Sequence, residues 1–219
     1  MIQEWVDLAG ARILDSGCGL GAYLNAFAPY SQLRFGHDVE HERLVEAIPR
    51  ATGIVQSVGE KLPFVDASFD FVFSNEVIEH VEDDAQYARE MVRVTRPDGR
   101  LLIFCPNRWY PVEQHGIYWQ GQYKFGNFPL VNYLPMPLRN HLAPHVRTYS
   151  RRELWRLFQD LPVRVVHYGR IYGGYDNIEN RWPRFGHYLK QALYMAEKTP
   201  LAVLGISHLL VLEKVITGN

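Results

Sequence analysis

ILDSGCGLGAYLNAF, from Ile13 to Phe27, decides the fold. An apolar run, ARILDSG, reads as a strand and hands directly to a helix opening between Gly21 and Phe27. Gly17, Gly19 and Gly21 stand between them, where the backbone must turn sharply and can approach a ligand closely. Working outward, the same alternation repeats. RFGHDVE is a second strand and HERLVEAI a second helix; GIVQSV is a third strand and FDFVFSN a fourth. DDAQYAREMVRVT follows as an amphipathic helix. RPDG is a turn, with Pro97 ending the helix and Gly99 free to take a positive φ, and RLLIFCPN is the fifth strand.

Strands that are apolar throughout, rather than alternating, belong to a sheet covered on both faces. Repeated βα units of this length imply a parallel sheet with right-handed crossovers. Farther on, Ser150 caps a helix in SRRELWRLF, VRVVHYGRIY is a sixth strand, and ISHLLVLEKV a seventh, with a helix from about 184 to 198 between them. The expectation is an α/β fold: a doubly wound, mostly parallel seven-stranded sheet with an antiparallel edge strand, as one domain over residues 1–219. The stretch from about 106 to 148 breaks the rhythm. It is dense in Pro, Gly and aromatic residues, and so long a segment without clear periodicity points to a lid or binding loop.

Composition narrows the class. Apolar residues are 47% of the 219, ample for a core, and the formal net charge of -1 gives no field drawing the protein onto nucleic acid. Cys18 and Cys105 make no disulfide framework and read as small buried residues. MIQEWVDLAGARILD has no basic stretch leading into an apolar run, so no secretion signal is expected. The apolar run from Leu201 to Val215 is too short and too interrupted for a span. A cytoplasmic protein without a transmembrane segment is the expectation.

The glycine loop alone does not name a ligand. It also satisfies the loose Gly-x-Gly-x-x-Ala dinucleotide pattern through Ala22, and Asp38, ending the second strand, can accept hydrogen bonds from ribose hydroxyls in either kind of site. The next segments separate the two. GEKLPFVDASFDFVFSNEVIEHV, a helix, and RPDGRLLIFCPN resemble the class I S-adenosylmethionine (SAM)-dependent methyltransferases, specifically the small-molecule group with a type 11-like domain and a Rossmann-like methyltransferase fold. The resemblance covers about 13–107. It implies SAM as cofactor, with Asp15, Gly17, Gly19 and Gly21 about its methionine portion and Asp38 on the ribose. It further implies Gly59 and Glu60 against the adenine and Asn75 beside the cofactor. Where many relatives carry an acid for the adenine amino group, this chain has Val58.

For the acceptor, His80 and His115 are the candidate catalytic bases. Glu76, Glu79 and His80 lie within one turn of each other in NEVIEH, and His115 follows Asn107 at the end of the fifth strand. This pattern is similar to small-RNA 2′-O-methyltransferases and ubiquinone-pathway O-methyltransferases. That resemblance implies a divalent ion held by Glu76, Glu79, His80 and His115; mixed carboxylate and imidazole donors favour Mn²⁺, Fe²⁺ or Zn²⁺ over Mg²⁺. A metal-free His base and a structural role for these residues stay open. Trp109, Tyr110, Tyr118, Trp119, Tyr123 and Phe125 offer flat faces to a ring, and Arg108, Arg139, Arg147, Arg151 and Arg152 offer cations to a phosphate or carboxylate. Proline-rich apolar stretches such as NFPLVNYLPMPL could touch a lipid tail or membrane surface.

The expected activity is O-methylation of a small or lipid-linked acceptor, a glycan or other polyhydroxylated or phenolic molecule. A quinone-type C-methyltransferase is the alternative within the class. A non-catalytic SAM-binding domain and a nicotinamide oxidoreductase are the readings outside it. A nucleic acid partner is disfavoured by the neutral charge, and the sequence leaves the oligomeric state unread.

Overall fold

The computed structural model describes residues 2–173 and 176–216, so both ends of the 1–219 domain expectation lie outside the described residues. Two compact units divide the chain: Met1–Phe104 with Glu153–Tyr168 and Leu210–Asn219, and Cys105–Arg152 with Gly169–Leu209.

The sheet of the first unit is built as its strands suggest. β1 (Ile13–Ser16) pairs in parallel with β2 (Arg34–Asp38) and with β4 (Phe69–Asn75); β2 pairs with β3 (Gly53–Gln56), and β4 with β5 (Thr95–Pro106). β10 (Val163–Ile171) and β11 (Ser207–Lys214) complete seven strands in the order β10-β11-β5-β4-β1-β2-β3, a mixed sheet whose antiparallel strand belongs to this outer pair. Every residue of β1 is buried, and β4, β5 and β11 are buried over nearly all their apolar positions, whereas β3 and β10 at the two edges are only half-buried. Two covered faces therefore account for the unbroken apolar runs. α1 (Ala22–Ala26), α2 (His41–Ala47) and α3 (Asp84–Val94) follow β1, β2 and β4; Asp83 caps α3 by accepting from the Gln86 amide at 2.8 Å.

The turn at RPDG differs from expectation. β5 begins at Thr95, so these four residues are already strand, and the positive φ belongs to Asp98 (60°), not Gly99. Gly99 is required for space: a Cβ there would lie 2.8 Å from the Arg96 carbonyl oxygen and 3.1 Å from that of Asp70. Asp70, held to about pKa 2 mainly by hydrogen bonds from Arg12 and Arg96 that outweigh its burial, fastens this end of β4 to its neighbours.

At the opposite ends of the strands a buried polar chain crosses the sheet. The Tyr87 hydroxyl lies 3.0 Å from Ser74 Oγ and 2.7 Å from Ser16 Oγ, which lies 2.7 Å from His37 Nε2; His37 Nδ1 is 3.1 Å from Ser57 Oγ. Four strand tips and α3 are thus tied by side chains. Burial pushes the Tyr87 phenol up and the His37 ring down to about 4, so both are neutral at pH 7.

In the second unit, β6 (Val112–Glu113) pairs antiparallel with β9 (Phe128–Pro129), and β7 (Ile117–Trp119) with β8 (Gln122–Lys124). α4 (Met136–Leu142) follows; α6 (Asp176–Arg181) and α7 (Pro183–Ala196) come later in the chain, after α5 (Arg151–Arg156) at the unit boundary. The stretch 106–148 is thus short strand pairs and a helix. Asn107 anchors it: Asn107 Nδ2 donates to the Val203 and Gly205 carbonyls at 2.9 and 2.7 Å, and its amide to Ile206 at 2.9 Å.

Replacing Tyr87 by Phe leaves two buried serine hydroxyls short of a partner. It is expected to lower unfolding free energy by about 1–3 kcal/mol, read as a shifted urea midpoint at unchanged slope.

Candidate functional site

The glycine loop between β1 and α1 is held from behind by β2. The His37 carbonyl accepts the Gly17 and Cys18 amides at 3.0 and 2.9 Å, the Asp38 carboxylate accepts the Gly19 amide at 2.9 Å, and the Gly21 amide closes onto Cys18 at 2.8 Å. The Gly17, Gly19 and Gly21 amides are therefore engaged within the fold. All three glycines have positive φ: 79°, 49° and 76°. Their surroundings differ. A Cβ on Gly17 would run into the Val77 side chain, and one on Gly21 would crowd Ala47 at 3.1 Å, but one on Gly19 would meet nothing within 4 Å. Gly17 and Gly21 serve packing; Gly19 borders open space.

Asp15 sits beneath this loop, 1% exposed, with its Oδ2 lacking any hydrogen-bond partner among the described residues. Burial, helped by the nearby Asp38 charge, lifts its pKa to about 7. An orphaned carboxylate oxygen at a loop opening suits a donor or cation arriving with a ligand. Asp38 is half-buried; besides Gly19 it accepts the Glu40 amide at 3.0 Å. Cys18 is buried and its thiol is pushed up to about 12 by burial first and by the Asp15 and Asp38 charges, which makes it inert, as expected.

Gly59 and Glu60 follow β3. A Cβ on Gly59 would stand 2.6 Å from the Tyr87 ring, so this glycine lets the chain lie flat on α3. Glu60 Oε1 accepts the Glu82 and Asp83 amides at 2.7 and 3.2 Å, and its carbonyl accepts Gln86 Nε2 at 3.2 Å, so Glu60 latches the entry to α3. Val58 is 51% exposed.

β4 ends at Asn75, and the NEVIEH string that follows is a single turn, closed by the His80 amide on the Val77 carbonyl at 2.9 Å. Glu76 takes φ 54°, a left-handed conformation unusual outside glycine, and its amide donates to the Phe104 carbonyl at 3.1 Å. The turn brings Glu79 inward. Its side chain is buried, neither carboxylate oxygen has a hydrogen-bond partner meeting normal geometry, and His80 Nε2 lies 3.8 Å from Oε1. Burial, then the Glu76 charge, raises the Glu79 pKa well above the usual carboxylate range.

His115 lies in the second unit, where its partner is a residue that motif reading passes over. Glu113, 1% exposed, accepts both the His115 amide at 2.9 Å and His115 Nδ1 at 3.0 Å through Oε1, while Oε2 takes Arg139 Nη2 at 2.7 Å. Burial alone would raise Glu113, but the His115 hydrogen bonds and the Arg139 charge bring it to about 2. Arg139 is fully buried and also donates to the Ala143 and Val146 carbonyls, so it is a brace of this unit and not a cation for an acceptor. Trp109, Tyr118, Trp119, Tyr123 and Phe125 are exposed, as flat binding faces require; Tyr118 and Tyr123 meet the His145 ring edge-on, with centroids 5.7 and 5.3 Å away.

A family profile described as a methyltransferase domain matches residues 14–103, the stretch holding the loop, Asp38 and NEVIEH. Residues 14–103 are thus similar to a methyltransferase domain. A probable SAM-dependent methyltransferase of Mycolicibacterium smegmatis is 35% identical over 102 residues, 46% of this chain and 40% of that protein. The methyltransferase YcgJ of Bacillus subtilis is 34% identical over 110 residues, 47% of this chain and 44% of its own length. This chain thus spans about two fifths of the curated relatives it matches. Fold likeness extends farther. The YcgJ crystal structure aligns over 100% of this chain and 97% of its own at TM-score 0.62 and 23% identity. A SAM-dependent methyltransferase from Mesorhizobium loti aligns over 97% and 95% at 0.67 and 16%. Likeness in sequence to the curated relatives is thus confined to about a hundred residues, and likeness to the solved structures is one of fold.

Gly17→Ala places a methyl group against Val77 at positive φ, whereas Gly19→Ala adds only backbone strain of about 1–2 kcal/mol. The first is expected to lower stability by clearly more than the second, as compared by thermal unfolding of the two variants.

Proposed function

We propose that this chain transfers the methyl group of SAM to an oxygen of a small or lipid-linked acceptor, a glycan or other polyhydroxylated or phenolic molecule. The observation that carries the cofactor half is the pairing of the orphaned, buried Asp15 Oδ2 with the open space over Gly19. The residues present fit SAM. Asp15 would face its cationic methionyl end, Gly19 would leave room for its backbone-like portion, and Asp38 would accept the ribose hydroxyls. Gly59 and Glu60 would border the adenine, and Asn75 would stand beside the sulfonium end. When bound, SAM supplies an electrophilic methyl group, so the protein has to align the acceptor and take its proton.

For that proton the chain offers buried Glu79, with His80 beside it, and His115, oriented by Glu113. A carboxyl whose pKa has been lifted by burial is a better proton acceptor at neutral pH than an exposed one. Glu79, with both carboxylate oxygens unsatisfied, and His80 beside it also offer ligands to a divalent ion, with Glu76 and His115 the further ligands that family resemblance implies. A metal there would act on the acceptor oxygen. A quinone-type carbon acceptor would need no such group, which separates the two readings.

The reading rests on methyl transfer itself. Radiolabelled SAM offered with sugar, quinone and phenolic acceptors should give a labelled ether or ester; label only on carbon, or none with any acceptor, would overturn it. If Asp15 must ionise to hold the cation, SAM affinity should climb as the pH rises towards about 7, the pKa of that carboxyl in the ligand-free fold, with protons released on binding. Asp15→Asn should remove this slope in calorimetric titration, and Asp38→Ala should weaken SAM by roughly 10- to 100-fold. Dialysis against a chelator followed by Mn²⁺ readdition tests the ion: restored turnover supports it, and turnover unaffected by either step rules it out.

A further inference from the structure

The surface of α7 carries a feature that methyl transfer does not use. One side of this fourteen-residue helix lies on α6: a Cβ on Gly186 would come within 2.7 Å of the Glu179 amide nitrogen, and Lys190 Nζ pairs with Glu179 Oε2 at 3.1 Å. Gly186 is its one buried residue. At helical spacing Phe185, Tyr188, Ala192 and Met195 fall on the side turned away from Gly186 and Lys190. Their large members are bare: Phe185 is 60% exposed, Tyr188 70% and Met195 66%. A helix facing water normally carries charge on such a stripe, and a contiguous aromatic and Met face marks an interaction surface.

The charges beside the stripe indicate what covers it. Arg181, stacked over the Trp182 ring at 5.1 Å, Arg184 and Lys198 are exposed. The nearby acids are engaged: Glu179 with Lys190, and Glu197 with the Tyr172 amide at 2.8 Å. We propose that α7 lies flat on an anionic lipid bilayer, with Phe185, Tyr188 and Met195 in the headgroup boundary and Arg181, Arg184 and Lys198 on lipid phosphates. Aromatic and Met side chains on one face with Arg and Lys at its margins match such an interface, where long cations reach phosphate while their stems lie on apolar surface. The helix lies on the membrane and does not cross it; among the described residues no helix is long and apolar enough to span one. This surface is distinct from the proline-rich stretch that the sequence offers for lipid contact, and it holds whether or not the acceptor is lipid-linked.

The full chain, without SAM, is mixed with vesicles of phosphatidylcholine alone or with phosphatidylglycerol, and pelleted. Binding to the anionic vesicles that weakens steeply with salt is expected. The triple variant Phe185→Ser, Tyr188→Ser, Met195→Ser should bind roughly tenfold more weakly or worse, and the pair Arg181→Glu, Arg184→Glu, which leaves the apolar face intact, likewise. SAM affinity unchanged in both variants shows that the loss is of membrane contact and not of the fold, and keeps this test separate from that of methyl transfer. Wild-type protein left in the supernatant, or variants that pellet as well as wild type, overturn the proposal. So does a wild-type dimer in sedimentation velocity that the triple variant converts to monomer, because a second copy then covers the face.

Discussion

Two amides on one carbonyl hold the site together. His37 ends the second strand with its backbone oxygen receiving Gly17 and Cys18, while its ring is drawn into the buried chain that runs to Ser16, Tyr87 and Ser74. A loop of three positive-φ glycines has little reason of its own to adopt one shape, since glycine loses the most conformational freedom on ordering. The tie to His37, and the adjacent bond from Gly19 to Asp38, select that shape before any ligand arrives. Preorganisation of this kind means that binding need not order the loop. Gly59 extends the same logic, since its missing side chain lets the segment after β3 rest on the Tyr87 ring, so the residue that bonds Ser16 also supports that segment.

Against this ordered frame, the fold keeps two acids where they are least comfortable. Asp15 and Glu79 are buried, each with carboxylate oxygen left unbonded, and burial drives both pKa values upward. A group held protonated in the fold but ionised when unfolded destabilises the native state above the unfolded pKa, and that penalty grows as pH rises to the folded value. Several other buried polar groups in the first unit are satisfied: Ser16, Ser74, His37 and Tyr87 by one another, and Thr95 by the Met91 carbonyl. Asp15 and Glu79 are the buried carboxylates of the first unit with unpartnered oxygens among the described residues, and such strained groups are where a ligand's own charge can offset the cost to the fold.

The sheet could be read directly because its signal is local. FDFVFSN is β4 residue for residue, and the unbroken apolar runs correctly implied a sheet covered on both faces. RPDG misled for the same reason: turn residues were weighed alone, while Thr95 and Arg100 on either side of them pair with Phe69 and Phe71 of β4, so the four form an irregularity within β5 and Gly99 is a matter of clearance from Asp70. The positive φ of Gly17, Gly19 and Gly21 agrees with the sharp turn that their spacing implies. What spacing could not reveal is who already holds each group. Arg139 looked like a surface cation and is a buried brace 26 residues from its partner; Glu113 carried no motif and orients His115; Glu60 looked like an adenine contact and grips the entry to α3. One residue signal was there to be used: an acid two positions before a candidate histidine can bond both its amide and its ring.

These two classes of information also divide the molecule. Identity to the curated relatives runs over about a hundred residues, and the matching profile stops at 103. Likeness beyond that point is likeness of shape at 16–23% identity. Residues outside the match are not neutral filler. They place Trp119, Tyr123 and Phe125 in solvent, fix a histidine through a fully buried ion pair, and present an aromatic helix face edged with arginine. Burying Arg139 with Glu113 is an expensive way to stabilise a small unit, since apolar packing would serve stability as well. Such a pair makes better sense as a means of holding one side chain in one orientation. Whatever residues 105–152 and 169–209 recognise is therefore set by side chains that the matched stretch does not constrain.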